Sequence, residues 1–580
     1  MKRNTLFAVA LPVLALLLFE DHSSKVREVY SAYRNSIKSP MCTGNLKASD
    51  LVTIVDTAKA RPVIFSGLGD HHFKVSTSNA SAQKFFDQGL ALYYAFNHAE
   101  AYRSFNEASR LDPACAMAFW GQALCLGPNI NAPMDAADAT VVFNAIQKAV
   151  FLAPKSTEKE QAYIMALSKR YVANPPENRA HLDSAYANAM KKVVAKYPSD
   201  LDAASLYAEA LMDLSPWNFW LKDGSAQPWT AEITELLESV LKRDPDHVGA
   251  NHFYIHTVEA SQTAERGMPS AKRLETLLPA AGHLVHMPSH IYIRTGRYHE
   301  GSVTNEASVK ADQAYLNQCN SQGLYALVYH PHNYHFLWAC TTLEGRGKYA
   351  VEVAQTLGSK QDAAMMVSPF GFQVQHFSVT PIFAMVRFGK WDDLLKIPEP
   401  DKKTVYARAM WHYGRGVAYA RQGMIDKAER ERSALLPLMK DSTLNSISVG
   451  ALNTPYALME IAEKIISAEI YAAKRNYDKA IPLFKEAVDL EDKLNYNEPA
   501  DWHQPVRQIL GAVLLEKGSA KEAEKVYLED LRIYPQNGWS LFGLQQSLLK
   551  QGRKKEAMKV KKRFDKAFAY ADVKLASSRF

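Results

Sequence analysis

Cysteine is scarce in this chain: Cys42, Cys115, Cys125, Cys319 and Cys340 are five among 580 residues. An odd, sparse set gives no disulfide framework. Cys115 and Cys125 fall in one predicted helix, roughly 15 Å apart at helical rise, which is beyond bridging reach. Cys319 pairs with Cys340 only if their helices are neighbours. The sequence also lacks a CxxC pair, a phosphate-cradling glycine loop, a GxSxG elbow and a basic-aromatic platform for single-stranded nucleic acid. Charge of one sign is not in excess either. The net charge is +7, so nothing demands nucleic acid or an anionic membrane surface as a partner. Sustained alternation of apolar and polar residues is missing, which excludes a large sheet.

Long hydrophobic runs are missing after the N-terminus. Lys2 and Arg3 precede fourteen uncharged residues, Leu6 to Phe19. This is the plan of a secretory signal, and the run is short of the ~20 residues a spanning helix needs. Glu20-Asp21-His22 offers no small-x-small cleavage site, and Cys42 is too distant for lipid attachment. Residues 1–22 are therefore expected to be a signal peptide or an N-terminal anchor of an exported protein, periplasmic or envelope-associated. The alternative is an apolar first helix of a cytosolic protein. No second spanning segment is expected, so any membrane contact runs through this segment alone.

What the chain does have is a repeat. Gly89, Ala101, Phe105, Ala108 and Pro113 are spaced 12, 4, 3 and 5, the arrangement of a 34-residue tetratricopeptide unit. Gly89 lets the second helix lie close on the first, Ala101 is the reciprocal small contact, and Phe105 fills the space toward the next unit. Pro113 ends the unit. Similar marks recur at Trp120-Gly121, Gly296-Arg297-Tyr298, Gly389-Lys390-Trp391, Gly416 to Ala428, Ala468 to Ala487, Gly511 to Pro535, and Trp539 to Ala557. The predicted fold is all-α, a right-handed solenoid of about eight to ten tetratricopeptide-like pairs. A lead-in at 23–83 precedes repeats at 84–245, a histidine-rich centre at 246–345 and repeats at 346–580. The last helix, Arg553 to Ala571, is basic and reads as a solvated cap.

Histidine is concentrated: nine of eighteen lie between His252 and His335. They come in three spaced groups. His252, His256 and Glu259 share one helical face, because steps of four and seven residues return within about 60° of one another. Phe253 follows the first histidine, so this is not the HExxH motif of zinc proteases. His283, His286 and His290 flank Met287-Pro288. The proline biases Met287 out of helix, which predicts a short turn followed by a helix opening near Ser289. His299 is expected to be exposed. His332 and His335 are i, i+3 neighbours behind Pro331, which suits the first position of a helix, with His330 just outside it. Adjacent repeats bring inner helices within ~8–10 Å of each other, close enough for imidazoles to converge.

These eight residues, His252, His256, Glu259, His283, His286, His290, His332 and His335, are the candidate ligands of a transition metal, zinc, copper or iron. A proton-transfer pocket without metal and a hydrogen-bonded structural network fit the same residues. Glu209 and Asp213, i and i+4 on one helix ahead of Ser215-Pro216-Trp217, could add a ligand or a base; an ordinary helix pair beside an aromatic plug fits equally. Tyr292, Tyr298, Tyr329 and Tyr334 could supply hydroxyls.

The chain after the leader also resembles a set of exported bacterial tetratricopeptide-repeat proteins with histidine-rich central motifs. The phrases that carry the likeness are FFDQGLALYYAFNHAEAYRSF, HFYIHTVEAS, AGHLVHMPSHIY, HNYHFL and NEPADWHQPVRQILGAVLLEKG. His503 departs from it, standing where an aromatic residue is usual. The resemblance implies the repeat fold and export, and brings no catalytic roles with it. Three functions follow as expectations: a scaffold binding a protein or peptide partner on its concave face with a metal centre set into it, a metal-dependent hydrolase or oxidase on the same scaffold, or an interaction module whose histidines are structural.

Overall fold

The computed structural model describes residues 62–318, 325–367, 371–445 and 452–580. The leader at 1–22, the lead-in before residue 62, Cys42 and Cys319 with its possible pairing to Cys340 lie outside these. Among the described residues the chain is an all-α, tetratricopeptide-like solenoid, and its only β contacts are two isolated bridges, Asn129 with Ala132 and Trp220 with Ala226.

The first repeat shows why the sequence folds this way. Asn79 caps the helix Ala80–Tyr94 by accepting from the Ser81 and Ala82 N–H groups, and Asn97 caps His98–Leu111 in the same manner. Glycine is required between them for packing. A Cβ on Gly89 would stand 2.8 Å from the Phe105 ring, and one on Gly121, in the next helix, 2.4 Å from it. Phe105 is thus clamped between two helices that only glycine lets approach. The C-terminal units repeat the device: Tyr527 lies between Gly511 and Gly543, where added Cβ atoms would come within 2.4 and 2.1 Å.

The described helices form twelve successive pairs, more than the eight to ten the motifs predict. The additional ones lie before and within the histidine-rich centre. There a pair such as Val248–Val258 with Met268–Leu274 has a second helix of only seven residues, and its connection runs from Glu259 through a 3-10 turn to Gly267 instead of closing in the short turn of the repeat. Two apolar cores result. One runs from Leu68 to Tyr329 and the other from Leu337 to Val560. Between them, on the helix His330–Leu343, Phe336, Cys340 and Leu343 form a small third cluster with Ile293 and Tyr298.

The solenoid curls far enough for late repeats to touch central ones. The Trp539 indole N–H donates to the Thr342 carbonyl (3.0 Å), the Tyr298 hydroxyl to the Pro535 carbonyl (2.8 Å), and the Gly347 N–H to the Asp572 carboxylate (2.6 Å). The basic helix ends at Ala567, and the tail beyond it turns back. Arg579, buried, pairs with Glu469 and Glu516. The tail thus lies along earlier repeats, while the last helix buries only Ala557 and Val560 and is otherwise largely solvated.

Three local expectations need correction. Met287 has helical backbone angles (φ −51°, ψ −36°) instead of extended ones, although the break expected there is present: Gly282–His286 ends before it and Pro288–Arg294 opens after it, one residue from the expected start. Met287 is fully buried, and that packing outweighs the pre-proline bias. Second, helical backbone begins at Tyr325, and His330 is the first α-helical residue of its helix rather than a flanking one. Third, residues 136–155 are long and apolar enough to cross a membrane by composition. Val142, Ala145, Ile146, Ala149 and Leu152 of this stretch are buried in the N-terminal core, the placement of a core helix.

Gly121→Ala tests the clamp. Helix propensity alone would make alanine the better residue by ~1 kcal/mol. Overpacking against Phe105 is expected to outweigh that, with a net loss of about 1–3 kcal/mol in chemical denaturation; a gain in stability would show that Phe105 does not hold the two helices apart.

Candidate metal centre

Three helical segments from successive pairs carry the site. Val248–Val258 presents His252 and His256 and is followed directly by Glu259; Gly282–Arg294 presents His283, His286 and His290; His330–Leu343 presents His332. Donor atoms of His252, His256 and His283 lie within 4.8 Å of one another, and so do those of His286, His290 and His332. Five of these six residues are buried and His332 is half-buried.

The outer nitrogen of four rings is spoken for. His252 Nδ1 is 2.6 Å from the Tyr94 carbonyl oxygen and His256 Nδ1 is 2.8 Å from Glu259 Oε1. His290 Nδ1 is 2.5 Å from Glu259 Oε2, and His286 Nδ1 is 3.0 Å from Asn305 Oδ1. Asn305 is oriented by its own amide, which donates to the Gly301 carbonyl at 2.7 Å, leaving its oxygen toward the ring. All four partners are acceptors, so each Nδ1 carries the proton and each Nε2 presents a lone pair. These Nε2 atoms turn inward. His286 and His290 face each other Nε2 to Nε2 at 2.9 Å, His252 Nε2 is 3.2 Å from His283 Nε2, and His256 Nε2 has no hydrogen-bond partner.

Burial, reinforced by neighbouring imidazoles, disfavours the charged forms. It brings His252 and His256 down to about 3, and burial alone does the same to His290; His283 and His286 are held well below the ordinary histidine value. His332 is likewise brought to about 3, by burial and then by His290. The rings are neutral, the ligating form.

Glu259 stands differently from its expected place among the ligands. Both its oxygens accept Nδ1–H groups, and Oε2 also receives the Tyr496 hydroxyl at 3.2 Å. This is the position of a carboxylate that orients ligand histidines. His335 is placed apart: it stacks on Trp338 (5.4 Å between centroids) and meets His376 edge-on. Glu209 accepts from the Tyr93 hydroxyl, and Asp213 pairs with the buried Arg170 at 2.7 Å, so neither joins the histidines. His299 is half-buried, its ring lying flat on Tyr570 at 3.5 Å and bonded to Glu344. Of the tyrosines, Tyr329 packs edge-on against His283 at 5.0 Å, while Tyr292 and Tyr298 bond Glu275 and Pro535.

Residues outside the expected set complete the surroundings. Asp312 accepts from Tyr325, His330 and Asn333. A Cβ on Gly282 would fall 1.9 Å from Asp312 Oδ1, which is why the helix that carries His283 opens on glycine. Phe96 packs on His252, with His283 and His256 stacked at 5.5 and 5.9 Å. Its φ is +55°, at the interhelix turn position where Gly296, Gly345, Gly389 and Gly423 stand in other repeats. A left-handed non-glycine residue costs on the order of 1–2 kcal/mol. A phenylalanine where the repeat calls for glycine was a readable sign; nothing in the sequence marks Asn305 or Asp312.

A further group, His71, Asp202 and His247, lines a cleft with Asp70, Asp244 and Asp246. Its chemistry differs. His247 Nδ1 accepts the Ala250 N–H as a helix cap at 3.1 Å, so its proton is on Nε2, facing Asp202 at 3.4 Å. Asp202 also takes the Tyr94 hydroxyl (2.7 Å) and His71 Nε2 (3.0 Å). Asp202 thus accepts hydrogen bonds from Tyr94 and His71 and stands within ion-pair reach of His247, an ionic cluster and not a set of free lone pairs.

No family model and no curated protein matches the chain. Solved structures do overlay on it. They include the human IFIT1 dimer with m7Gppp-AAAA (12% identity, 86% of this chain and 92% of that one, TM-score 0.30). The P58(IPK) TPR domain is similar over 82% of this chain and 100% of its own at 13% identity and TM-score 0.22. The APC/C hetero-tetramer Cut9–Hcn1 is similar over 82% and 78% at 12% identity and TM-score 0.28. Likeness this distant carries no argument about function.

The Asp202 network predicts a pH signature. Burial opposes ionisation of Asp202, yet His71 and His247 outweigh it and hold the carboxyl far below its usual range. Burial likewise opposes charge on His71, and Asp202 outweighs it and raises His71. The carboxylate's contribution is present above the unfolded value of ~3.9 and lost as pH falls; the histidine's is complete below ~6.5 and lost as pH rises through its raised value. The Tm deficit of Asp202→Asn should therefore be larger at pH 5.5 than at pH 8.5. An equal deficit at both would remove the charge pairing from the account.

Proposed function

We propose that this chain is a helical-repeat scaffold that holds transition-metal ions on the buried imidazoles of His252, His256, His283, His286, His290 and His332. One observation carries this reading: the His286 and His290 Nε2 lone pairs face each other 2.9 Å apart, with both Nδ1 protons already committed. Two neutral acceptors at that distance repel, and an unsatisfied buried polar atom costs about 1–3 kcal/mol. A cation between them turns the repulsion into two bonds. Zinc–imidazole bonds of ~2.0–2.1 Å put tetrahedral nitrogens about 3.3 Å apart, so a small opening of the pair suffices. An all-imidazole set suits zinc, copper or iron.

Sets of three imidazoles fall one ligand short of the closed structural pattern. That favours a metal-dependent hydrolase or oxidase over a metal that only braces the fold. The solenoid form supports, in addition, a protein or peptide partner along its inner surface. The basic and apolar leader supports a periplasmic or envelope location.

Protein purified without a histidine tag is expected to contain zinc, copper or iron well above trace. His286→Ala with His290→Ala should lose metal while retaining its helical circular dichroism. A fully helical wild type that is metal-free, and that takes up none of these ions when they are added, would leave the histidines a structural network.

A further inference from the structure

We infer that the centre is dinuclear, with one ion on His252, His256 and His283, a second on His286, His290 and His332, and Glu259 the single carboxylate that sets both. The inference rests on the metal-binding reading above and adds the number of ions and the means by which they are linked. Donors of one ion lie within about 4.2 Å of each other, twice a zinc–nitrogen bond. The two imidazole groups share no member, and the donor atoms of each lie within 4.8 Å of one another, so at most a small contraction brings each set into range of one ion.

Glu259 joins them. It holds the Nδ1–H of His256, from the first group, at 2.8 Å and that of His290, from the second, at 2.5 Å. Its side chain is only 1% exposed, so water does not compete for either oxygen. An ion on the Glu259 oxygens and the two Nδ1 atoms would have to displace both protons. The 2.8 Å separation is that of a charge-assisted hydrogen bond, and the 2.5 Å one is shorter still. Each proton kept on Nδ1 is a lone pair kept on Nε2, so one side chain sets the tautomer of a ligand in each group. The two groups differ in access. The first is fully buried beneath Phe96, whereas the second includes half-buried His332. The second is the entry side.

The substitution that isolates this role is Glu259→Gln. A glutamine accepts through one atom only, and its NH2 group faces the other imidazole donor to donor. That ring must move its proton to Nε2 and ceases to be a ligand. Outer-shell partners of this kind typically change metal affinity ~10–100-fold.

Metal-stripped, tag-free full-length protein would be titrated with zinc(II) alone and, separately, with copper(I) alone against a chromophoric chelator. Two equivalents per chain are expected for at least one metal. His252→Ala with His256→Ala and His286→Ala with His290→Ala should each leave one. A single wild-type equivalent overturns the dinuclear assignment and leaves the metal-binding reading standing; none overturns both. Glu259→Gln is expected to keep one equivalent at wild-type affinity and weaken the other 10–100-fold, with circular dichroism unchanged. Equal weakening of both, or of neither, overturns the shared role of Glu259.

Discussion

The histidine centre depends on where four protons sit. Each of His252, His256, His286 and His290 gives its Nδ1–H to an acceptor outside the cluster: a helix-end carbonyl, two oxygens of one glutamate and an asparagine amide. Without those acceptors the same imidazoles would hydrogen-bond to one another and satisfy themselves. With them, the inner nitrogens are left as bases in a dry space, which is the condition for binding a cation and an unfavourable one for leaving the rings alone.

The repeat architecture makes this arrangement affordable in conformational terms. Each helix pair fixes its own short segment locally, and stacking brings segments about thirty residues apart into register. His252 and His283 meet across a separation of 31 residues, as do Glu259 and His290. The later repeats contribute as well. Tyr496, from the C-terminal half, reaches Glu259, and Arg294 bonds the Glu259 carbonyl while lying over the Tyr496 ring. The curl of the solenoid thus closes its second half against the centre built by its first.

The contrast with His71, Asp202 and His247 is instructive, because donor types and spacing look equally suited to a metal there. One backbone contact separates the cases: His247 Nδ1 accepts the Ala250 N–H as a helix cap, so its remaining nitrogen is a donor. Residue type and proximity do not identify a ligand set. For His252, His256, His286 and His290 the hydrogen bond made by the far side of the ring does.

The repeat was legible in the sequence because its signals are local. Glycine, alanine and aromatic residues at fixed offsets reflect contacts within one helix pair, as with Phe105 between Gly89 and Gly121. Pairs with irregular connections, such as Glu259 to Gly267, were not legible in the same way, and at Met287 the helix breaks as the proline implies while buried packing keeps its backbone angles helical. The histidine spacing pointed to convergence, and six of the seven histidines expected there come together. It had no means to separate ligand from orienting group. Glu259 shares a helical face with His256, yet its partner His290 comes from another repeat, and the acceptors Asn305 and Tyr94 lie on helices with no histidine pattern of their own. His335 was indistinguishable from His332 by spacing, and its stacking on Trp338 turns it toward His376 instead. Local order therefore came from the sequence by itself, through periodicity and turn chemistry. Which nitrogen of each imidazole is free was decided only in the folded chain, since that depends on acceptors brought in from distant repeats.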